Sequence, residues 1–499
     1  MSTNVFAMPL DPTTPVLVGY GQVNQRDNTP EPVEPVALMA AAAREAADPR
    51  VLAAVDAIRV VNLLSWRYRD PGLMLGELIG ADHPTTRYTG IGGNVPQTLV
   101  NQACVDIAAG RAGVVLLAGA ETWRTRKRQK ANGIRPEWST QDESVPVAPG
   151  SEDGVEMAGP AMMRIGLGLP SDIYPMFEEA IRIDAGESPT EHRRRIGALW
   201  AQFNEVAQHN PHAWSDKAWT ADEIWQPGPD NRMISWPYTK LLNSNNMVDQ
   251  SAVLILTSVG KAEELQIPAE RWVFPWSGTD SHDTYDIGER FEYHRSPAIR
   301  IAAARALELA GLGVDEIDLV DIYSCFPSAV QVAAAEIGLP IGDPGRPLTV
   351  TGGLTFAGGP WNNYVMHSIA TMAEQLVAQP GQRGLITANG GYLTKHSFGV
   401  YSTEPPPTPF RWEDVQAEVD AEPTRQSLGE WEGTGTLETW TAPFGRDGKP
   451  EKAFLAVRTP DDARTLAVIT DPAVAEAMVD DDPAGAKVQV RADGTATLG

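Results

Sequence analysis

Between Tyr392 and His396 the chain places a phenol, an amine and an imidazole, on Tyr392, Lys395 and His396, directly after a run that reads as a buried strand. The string Asn389-Gly390-Gly391-Tyr392-Leu393-Thr394-Lys395-His396 holds more proton-transfer capacity than a turn requires, which makes it a candidate acid/base loop. The plainer reading is a polar surface loop or a subunit contact. Two glycine turns offer a different chemistry. Ile91-Gly92-Gly93-Asn94-Val95-Pro96 enters one long helical pattern, and Ala357-Gly358-Gly359-Pro360-Trp361-Asn362-Asn363 enters another. Free N–H groups and the helix dipole converge at such turns, where open α/β sheets place ligands; either turn alone does no more than permit a sharp bend. The basic run Arg124-Thr125-Arg126-Lys127-Arg128-Gln129-Lys130 is unusual in so acidic a chain, and point charges suit phosphate groups. A solvated face or a subunit contact explains it equally well, and Arg193-Arg194-Arg195 reads as a solvated helix face.

The elements that must position these groups alternate. Apolar patterns predict strands over 57–63, 86–91 and 113–118 and helices over 35–47, 71–79 and 95–109, so the first part reads as a mostly parallel sheet with helices on its faces. From Thr122 to Leu242 the pattern breaks into scattered Trp, Pro and charge, with a Gly/Glu/Pro-rich stretch over 148–160 and helices near 174–185 and 191–210. This reads as a large insertion. The sheet pattern resumes with strands over 251–258, 272–276, 319–323 and 384–388 and helices over 297–310, 328–337 and 361–377. The two glycine-turn, helix, strand units make an internal repeat of architecture, two related halves facing each other. That pairing brings Asn94, Tyr323, Asn362 and Asn363 towards the Tyr392–His396 string. Glu404-Pro405-Pro406-Pro407-Thr408-Pro409 reads as a stiff linker, and the alternating runs beyond it as a small β-barrel of the OB type.

Composition narrows the partners. Sixty-five acidic against 40 basic residues give a net charge of -25, which repels polyphosphate backbones and argues against nucleic acid, for the barrel as for the rest. Cys104 and Cys325 are the only cysteines, too few for a disulfide framework or a cysteine zinc site, so a reducing cytoplasm and no metal are expected. The start, MSTNVFAMPLDPTTPV, lacks the pattern of an export signal, and nowhere does an apolar run reach the length of a membrane span.

The order of four further motifs makes roughly residues 14–402 resemble the thiolase superfamily, in its sterol-carrier-protein-type branch. They are Leu116-Leu117-Ala118-Gly119-Ala120-Glu121, Asn243-Ser244-Asn245-Asn246-Met247-Val248-Asp249-Gln250, Asp321-Ile322-Tyr323-Ser324-Cys325-Phe326, and the run from Gly352-Gly353-Leu354 to Gly358-Gly359-Pro360. The C-terminal segment resembles the additional domain of type-1 thiolase-like proteins. The resemblance implies an α/β fold with a layered αβαβα core. It divides the chain into an N-terminal half (14–121 and 243–270), an inserted loop domain (122–242), a C-terminal half (271–403), a linker (404–430) and the added β domain (431–499). It further implies coenzyme A or acyl-CoA as ligand, with no tightly bound cofactor, a place in lipid metabolism, and a homodimer or homotetramer.

Residue by residue, the resemblance puts the superfamily's nucleophilic Cys on Gly93, its activating His on Gly359, its acid/base Cys on Ala388 and its oxyanion His on Tyr323. All four groups are absent, and neither Gly93 nor Ala388 can form a thioester or carry a proton. Cys104 falls on a buried helix face, and Cys325 matches a cysteine that packs beside the family's site without acting as nucleophile. Tyr323, Tyr392, His396 and Asn94 therefore stand as candidate catalytic groups, with Arg126, Lys127 and Arg128 as candidates for CoA phosphates. Three functions compete: a reaction-altered enzyme on acyl-CoA, including a retro-aldol lyase using tyrosine; a non-catalytic acyl-CoA-binding or scaffold protein; and, last on chemical grounds, a standard acetyl-CoA acetyltransferase.

Overall fold

The computed structural model describes residues 10–29, 31–150 and 155–499. The expected lack of an export signal concerns a segment of which residues 1–9 lie outside this set, as do residues 151–154 of the Gly/Glu/Pro-rich stretch.

The first half builds β1 (Pro15–Asn24), β2 (Ala57–Val60), β3 (Thr85–Tyr88) and β4 (Val114–Thr122). The insertion contributes a short hairpin, β5 (Met233–Ser235) and β6 (Tyr238–Thr239), before the chain returns as β7 (Asp249–Ser258). The second half builds β8 (Phe274–His282), β9 (Leu319–Asp321), β10 (Arg383–Gly390), β11 (Lys395–Ser402) and β12 (Arg411–Asp414). The sheet orders are β1-β7-β4-β2-β3 and β12-β8-β11-β10-β9, so β1, β7, β4 and β2 are repeated by β8, β11, β10 and β9. The two related halves expected from the sequence are present.

Both sheets are mixed, which corrects the expectation of a mostly parallel sheet. Pairs β2–β3, β2–β4 and β9–β10 are parallel, whereas β7 and β11 run antiparallel to both neighbours. The reason is connectivity: β7 and β11 re-enter their sheets from the end at which β4 and β10 leave them. In the second half a turn at 391–394 makes this reversal; in the first half the whole insertion makes it. Strand direction has no local sequence signal, and a central strand buried on both faces reads as an apolar run in either direction.

Two helices fill the space between the sheets. Val95–Ala108 touches β4, β7, β8, β10 and β11, and Tyr364–Ala378 touches β1, β7, β9 and β10. Each begins at one of the two glycine turns. Pro35–Ala46 covers the outside of the first sheet and Pro297–Ala310 the outside of the second, which completes the αβαβα layering. Cys104 sits fully buried within the first central helix, where burial pushes its thiol well up. Among the described residues no helix is long and apolar enough to cross a membrane.

Arg411–Asp414, within the segment read as linker, adds β12 to the outer edge of the second sheet beside β8. The C-terminal domain follows as β13 (Gly433–Thr441), β14 (Ala453–Arg458), β15 (Arg464–Ile469), the helix Pro472–Asp481, β16 (Lys487–Val490) and β17 (Ala496–Leu498). Its antiparallel sheet has the order β15-β14-β13-β16-β17, and a bridge between Val468 and Thr495 brings the two outer strands together. The domain docks on its own chain. Trp440 stacks on Trp236 of the insertion, with ring centroids 6.2 Å apart. The buried Arg464 donates to both carboxylate oxygens of Glu438 and to the Gly288 carbonyl, its guanidinium 4.3 Å from the Tyr293 ring centroid.

Candidate functional site

The glycine turns open onto a cavity of about 740 Å³. Its floor comes from the turn at 90–93, the end of β10 and Tyr323; its walls come from the insertion (Leu169, Pro170, Tyr174), the Asn-rich turn (Ser244, Asn246) and Trp361 with Asn362. The two halves and the insertion thus contribute to one space.

Gly93 is the point of closest approach. Its φ is not positive, so its backbone does not require glycine; its surroundings do. A Cβ placed there would lie 2.5 Å from the Tyr323 hydroxyl and closer still to the Asn389 carbonyl oxygen. Tyr323 therefore occupies the room that a side chain on Gly93 would need. Its ring packs edge-on to Tyr364, 5.5 Å between centroids, and its hydroxyl has no hydrogen-bond partner among the described residues. Burial pushes the phenol well above its ordinary range, so at neutral pH Tyr323 presents an O–H donor to the cavity. Gly359 is crowded in the same way: a Cβ would meet Asn246 Oδ1 at 2.8 Å. Asn246, half-buried, lines the cavity from that side.

The supporting shell is rigid. Asn362 accepts from Gly92 N–H (3.1 Å) and donates to the Asn62 carbonyl (3.0 Å), fixing the first glycine turn from the second half. Asn363 donates to the Gly119 carbonyl at 2.8 Å and stays outside the cavity. Trp361, between the two, holds a left-handed backbone at φ 49° with its indole N–H buried and unpartnered among the described residues. Such strain persists only where the surroundings hold it, and here it turns an indole into the cavity wall. Tyr174 is the hub of the opposite wall. Its hydroxyl donates to the Gly391 carbonyl (3.0 Å) and accepts from Asn389 Nδ2 (2.9 Å) and Leu393 N–H (2.9 Å). Burial holds Tyr174 protonated and pushes the adjoining Cys325 thiol up to about 12.

The Tyr392–His396 string divides. Tyr392 lies at the cavity mouth but donates its proton to the Gly168 carbonyl at 2.7 Å. Lys395 also lines the cavity, with its ammonium 2.6 Å from the Ile91 carbonyl. His396 faces the other way, buried, with Nε2 3.2 Å from the Leu393 carbonyl and 3.6 Å from Asp283. It shares only a small void of about 10 Å³ with Ala388, behind Tyr323. Asn94 does not line the cavity; its Oδ1 is buried beside Gly92 and Gly390 without a partner among the described residues.

The basic run forms the helix Trp123–Ala131 and does not converge on one point. Arg124 pairs with Asp27 at 2.6 Å, and Arg128 donates to the Asp27 carbonyl. Arg126 donates to the Ser65 carbonyl and lies over the rings of Trp66 and Trp123. Lys127 is exposed. The helix nevertheless abuts the cavity, since Trp123 packs 6.5 Å from Trp361. Among the described residues no three His, Cys, Asp or Glu side chains stand close enough to hold a metal ion.

The sequence family described as the thiolase-like protein type 1 additional C-terminal domain matches residues 414–495. The crystal structure of a monomeric SCP2-thiolase-like protein type 1 from Mycobacterium smegmatis is 32% identical, covers 98% of this chain and 100% of its own, and superposes with a TM-score of 0.82. The chain belongs to the SCP2-thiolase-like protein type 1 family. The Ltp2–ChsH2(DUF35) aldolase shares the fold at 18% identity, with a TM-score of 0.59 over 78% of this chain and 98% of its own. The acetyl-CoA acetyltransferase of Methanothermobacter thermautotrophicus is 23% identical over 320 residues, 61% of this chain and 77% of that protein. Family membership establishes the thiolase-like fold. The side chains facing this cavity remain those of the chain itself, and Tyr174 and Asn246 among them were missed by sequence reasoning. Both sit outside the two repeated units, in segments where only folding reveals the proximity.

Proposed function

We propose that this protein binds an acyl thioester of coenzyme A in the cavity, with the acyl carbonyl accepting a hydrogen bond from Tyr323. The observation that carries the reading is the Tyr323 hydroxyl, directed into the cavity beside Gly93 with no partner among the described residues. A donor that faces a cavity with no protein partner is available to a ligand's acceptor, which would replace water there. The acyl group would lie against Leu169, Pro170 and Trp361, and the nucleotide would pass the face of the Trp123–Ala131 helix, where the exposed Lys127 would meet its phosphates and Arg126 and Arg128 would first have to leave the Ser65 and Asp27 carbonyls.

Four titratable groups at or beside the cavity favour binding over turnover. Tyr174 and Cys325 are held neutral, Tyr392 donates to a carbonyl, and His396 is turned away. A retro-aldol reaction needs a base to take the hydroxyl proton of a 3-hydroxyacyl thioester, and a phenol pushed well above its ordinary range is a donor before it is a base. Acyl transfer through a thioester needs a thiolate, which neither Gly93 nor Ala388 supplies.

Calorimetry with decanoyl-CoA and with free CoA tests the reading. The acyl thioester should bind more tightly than CoA, and Tyr323→Phe should remove part of that difference while leaving CoA binding unchanged. Equal affinities for both ligands, or none, would sink it. Release of an aldehyde or ketone from a 3-hydroxyacyl-CoA, lost in Tyr323→Phe, would replace it with the lyase reading. For assembly, the M. smegmatis relative is monomeric. In this chain the edge of β3 is partly capped, Tyr88 N–H donating to the Pro149 carbonyl at 3.0 Å. We therefore favour a monomer over the homodimer or homotetramer that the thiolase resemblance implies, and sedimentation velocity decides between them.

A further inference from the structure

No residue of the C-terminal domain lines the cavity. The wall made by Leu169, Pro170 and Tyr174 nevertheless has its back against that domain. The helix Pro160–Ile165 leads directly into this wall, and its Arg164 reaches across to the domain. Arg164 donates to Thr465 Oγ1 (3.2 Å) and the Leu466 carbonyl (2.9 Å) of β15, and to the Ala492 carbonyl (3.4 Å). The contact is close on both sides. A Cβ on Gly494 would lie 2.7 Å from Arg164 Nε and 2.9 Å from an Ile165 methyl, and one on Gly429 would lie 2.9 Å from Pro160. The helix ends at Gly166 in the left-handed region, φ 69°, and Leu167 is buried. The Gly168 carbonyl then receives the Tyr392 hydroxyl, and Leu169 reaches the cavity mouth, 63% exposed. A second contact supports the next helix, Pro170–Ala185: Thr439 Oγ1 of β13 donates to the Met176 carbonyl at 2.5 Å, two residues beyond Tyr174.

We propose that the C-terminal domain positions this wall of the cavity, with Arg164 as the positioning residue that couples β15 to the Gly166–Pro170 segment, and so sets the size of acyl group the cavity accepts. The part concerning acyl groups rests on the function proposed above; the coupling itself does not. A six-residue helix cannot hold its own place in water, so the position of the segment after it depends on what the helix is anchored to. Here the anchors are two carbonyls and a hydroxyl of the C-terminal domain, which accept from one guanidinium whose planar fork fixes direction as well as distance.

The test uses the full chain with Arg164→Leu, Arg164→Lys and Thr439→Val. Hydrogen exchange of residues 166–174 without ligand reads the coupling, and calorimetry with decanoyl-CoA and acetyl-CoA reads its consequence. Arg164→Leu should speed exchange in this segment by roughly tenfold, the equivalent of one charge-assisted hydrogen bond, and weaken decanoyl-CoA by a similar factor while acetyl-CoA stays within about twofold. Arg164→Lys should recover part of both effects. Unchanged exchange in Arg164→Leu overturns the coupling, and faster exchange with an unchanged ratio of the two affinities overturns its role in acyl size. Should wild type bind neither thioester, the proposed function fails together with the acyl-size role, while the exchange rates still judge the coupling. Thr439→Val removes a single hydroxyl and carries the same test if the Arg164 variants do not fold.

Discussion

Gly93→Cys would place a thiol where the thiolase resemblance puts the nucleophile, and the surroundings of Gly93 set its cost. The new Cβ would lie 2.5 Å from the Tyr323 hydroxyl and 2.8 Å from the ring carbon bearing it, and it would press on the Asn389 backbone carbonyl. The carbonyl belongs to the end of β10 and cannot give way without disturbing the hairpin, because Asn389 pairs with His396 of β11. Overpacking of this kind costs about 1–3 kcal/mol, and the thiol Sγ adds to it. Tyr323→Phe in the same chain removes the 2.5 Å contact but neither of the others. The double variant should therefore recover only part of the loss, with a coupling of about 0.5–1 kcal/mol in a double-mutant cycle. Unfolding midpoints of the four proteins in one buffer measure this, and incubation with acetoacetyl-CoA followed by intact mass reads whether the thiol takes up an acetyl group. We expect a lower midpoint and no acetyl adduct. A Gly93→Cys protein as stable as wild type, or one that becomes acetylated, would refute the claim that Tyr323 has taken the nucleophile's place.

Tyr174→Phe removes three hydrogen bonds from the 389–393 segment and should lower the midpoint far more than Tyr323→Phe, which removes none within the protein; equal losses would contradict the assignment of hub and open donor. Cys325, buried with its thiol pushed up to about 12, should resist iodoacetamide at pH 8 and react only on unfolding, as read by mass spectrometry of the folded and denatured chain. His192 lies buried with Nε2 2.5 Å from Glu178 and Nδ1 2.6 Å from Glu187. Burial disfavours its charge, but the two carboxylates outweigh burial and raise its pKa. Its contribution to stability is therefore full below about pH 6.5 and lost as pH rises through the raised value, so wild type should lose melting temperature from neutral to alkaline pH. His192→Gln should melt lower at pH 6 and show a flatter slope above it; an unchanged slope would place the pH dependence elsewhere.

Element positions were legible wherever the sequence carries its own boundary marks. The helix Pro297–Ala310 has proline in its first turn, Ser296 as N-cap and Gly311 in the left-handed conformation after it, and the helix Pro71–Ile79 is framed by Asp70 and Gly80 in the same manner. The strand Gly433–Thr441 is marked by β-branched alternation with turns on either side. β11 carries no such marks: KHSFGVYS begins on a polar pair and is buried on both faces, so it lacks the alternation of a half-buried strand. Missing it made Lys395 and His396 look like members of one loop. Once they start a strand, adjacent side chains point to opposite faces, and only Lys395 reaches the cavity. The paired glycine turns were readable because they form the repeat, and Tyr323 because it stands in a motif that resembles one of the thiolase superfamily. Tyr174 was not, because its approach depends on how a long insertion folds back; Asn246 sits in the Asn-rich turn that the resemblance marked, which carried no sign that its side chain lines the cavity.

The turn at 391–394 and the insertion from 123 to 248 occupy the same junction of the repeated plan, between the outgoing strand and its antiparallel return. The two halves therefore differ at that junction by more than a hundred residues while keeping equivalent hydrogen-bond ladders. A junction with this tolerance is a grafting point. Longer loops placed between Gly390 and Lys395 would reach over the cavity mouth where Tyr392 now stands, leaving both sheets as they are. The chain carries, in its own duplicated architecture, the precedent for enlarging or redirecting its binding site without redesigning its core.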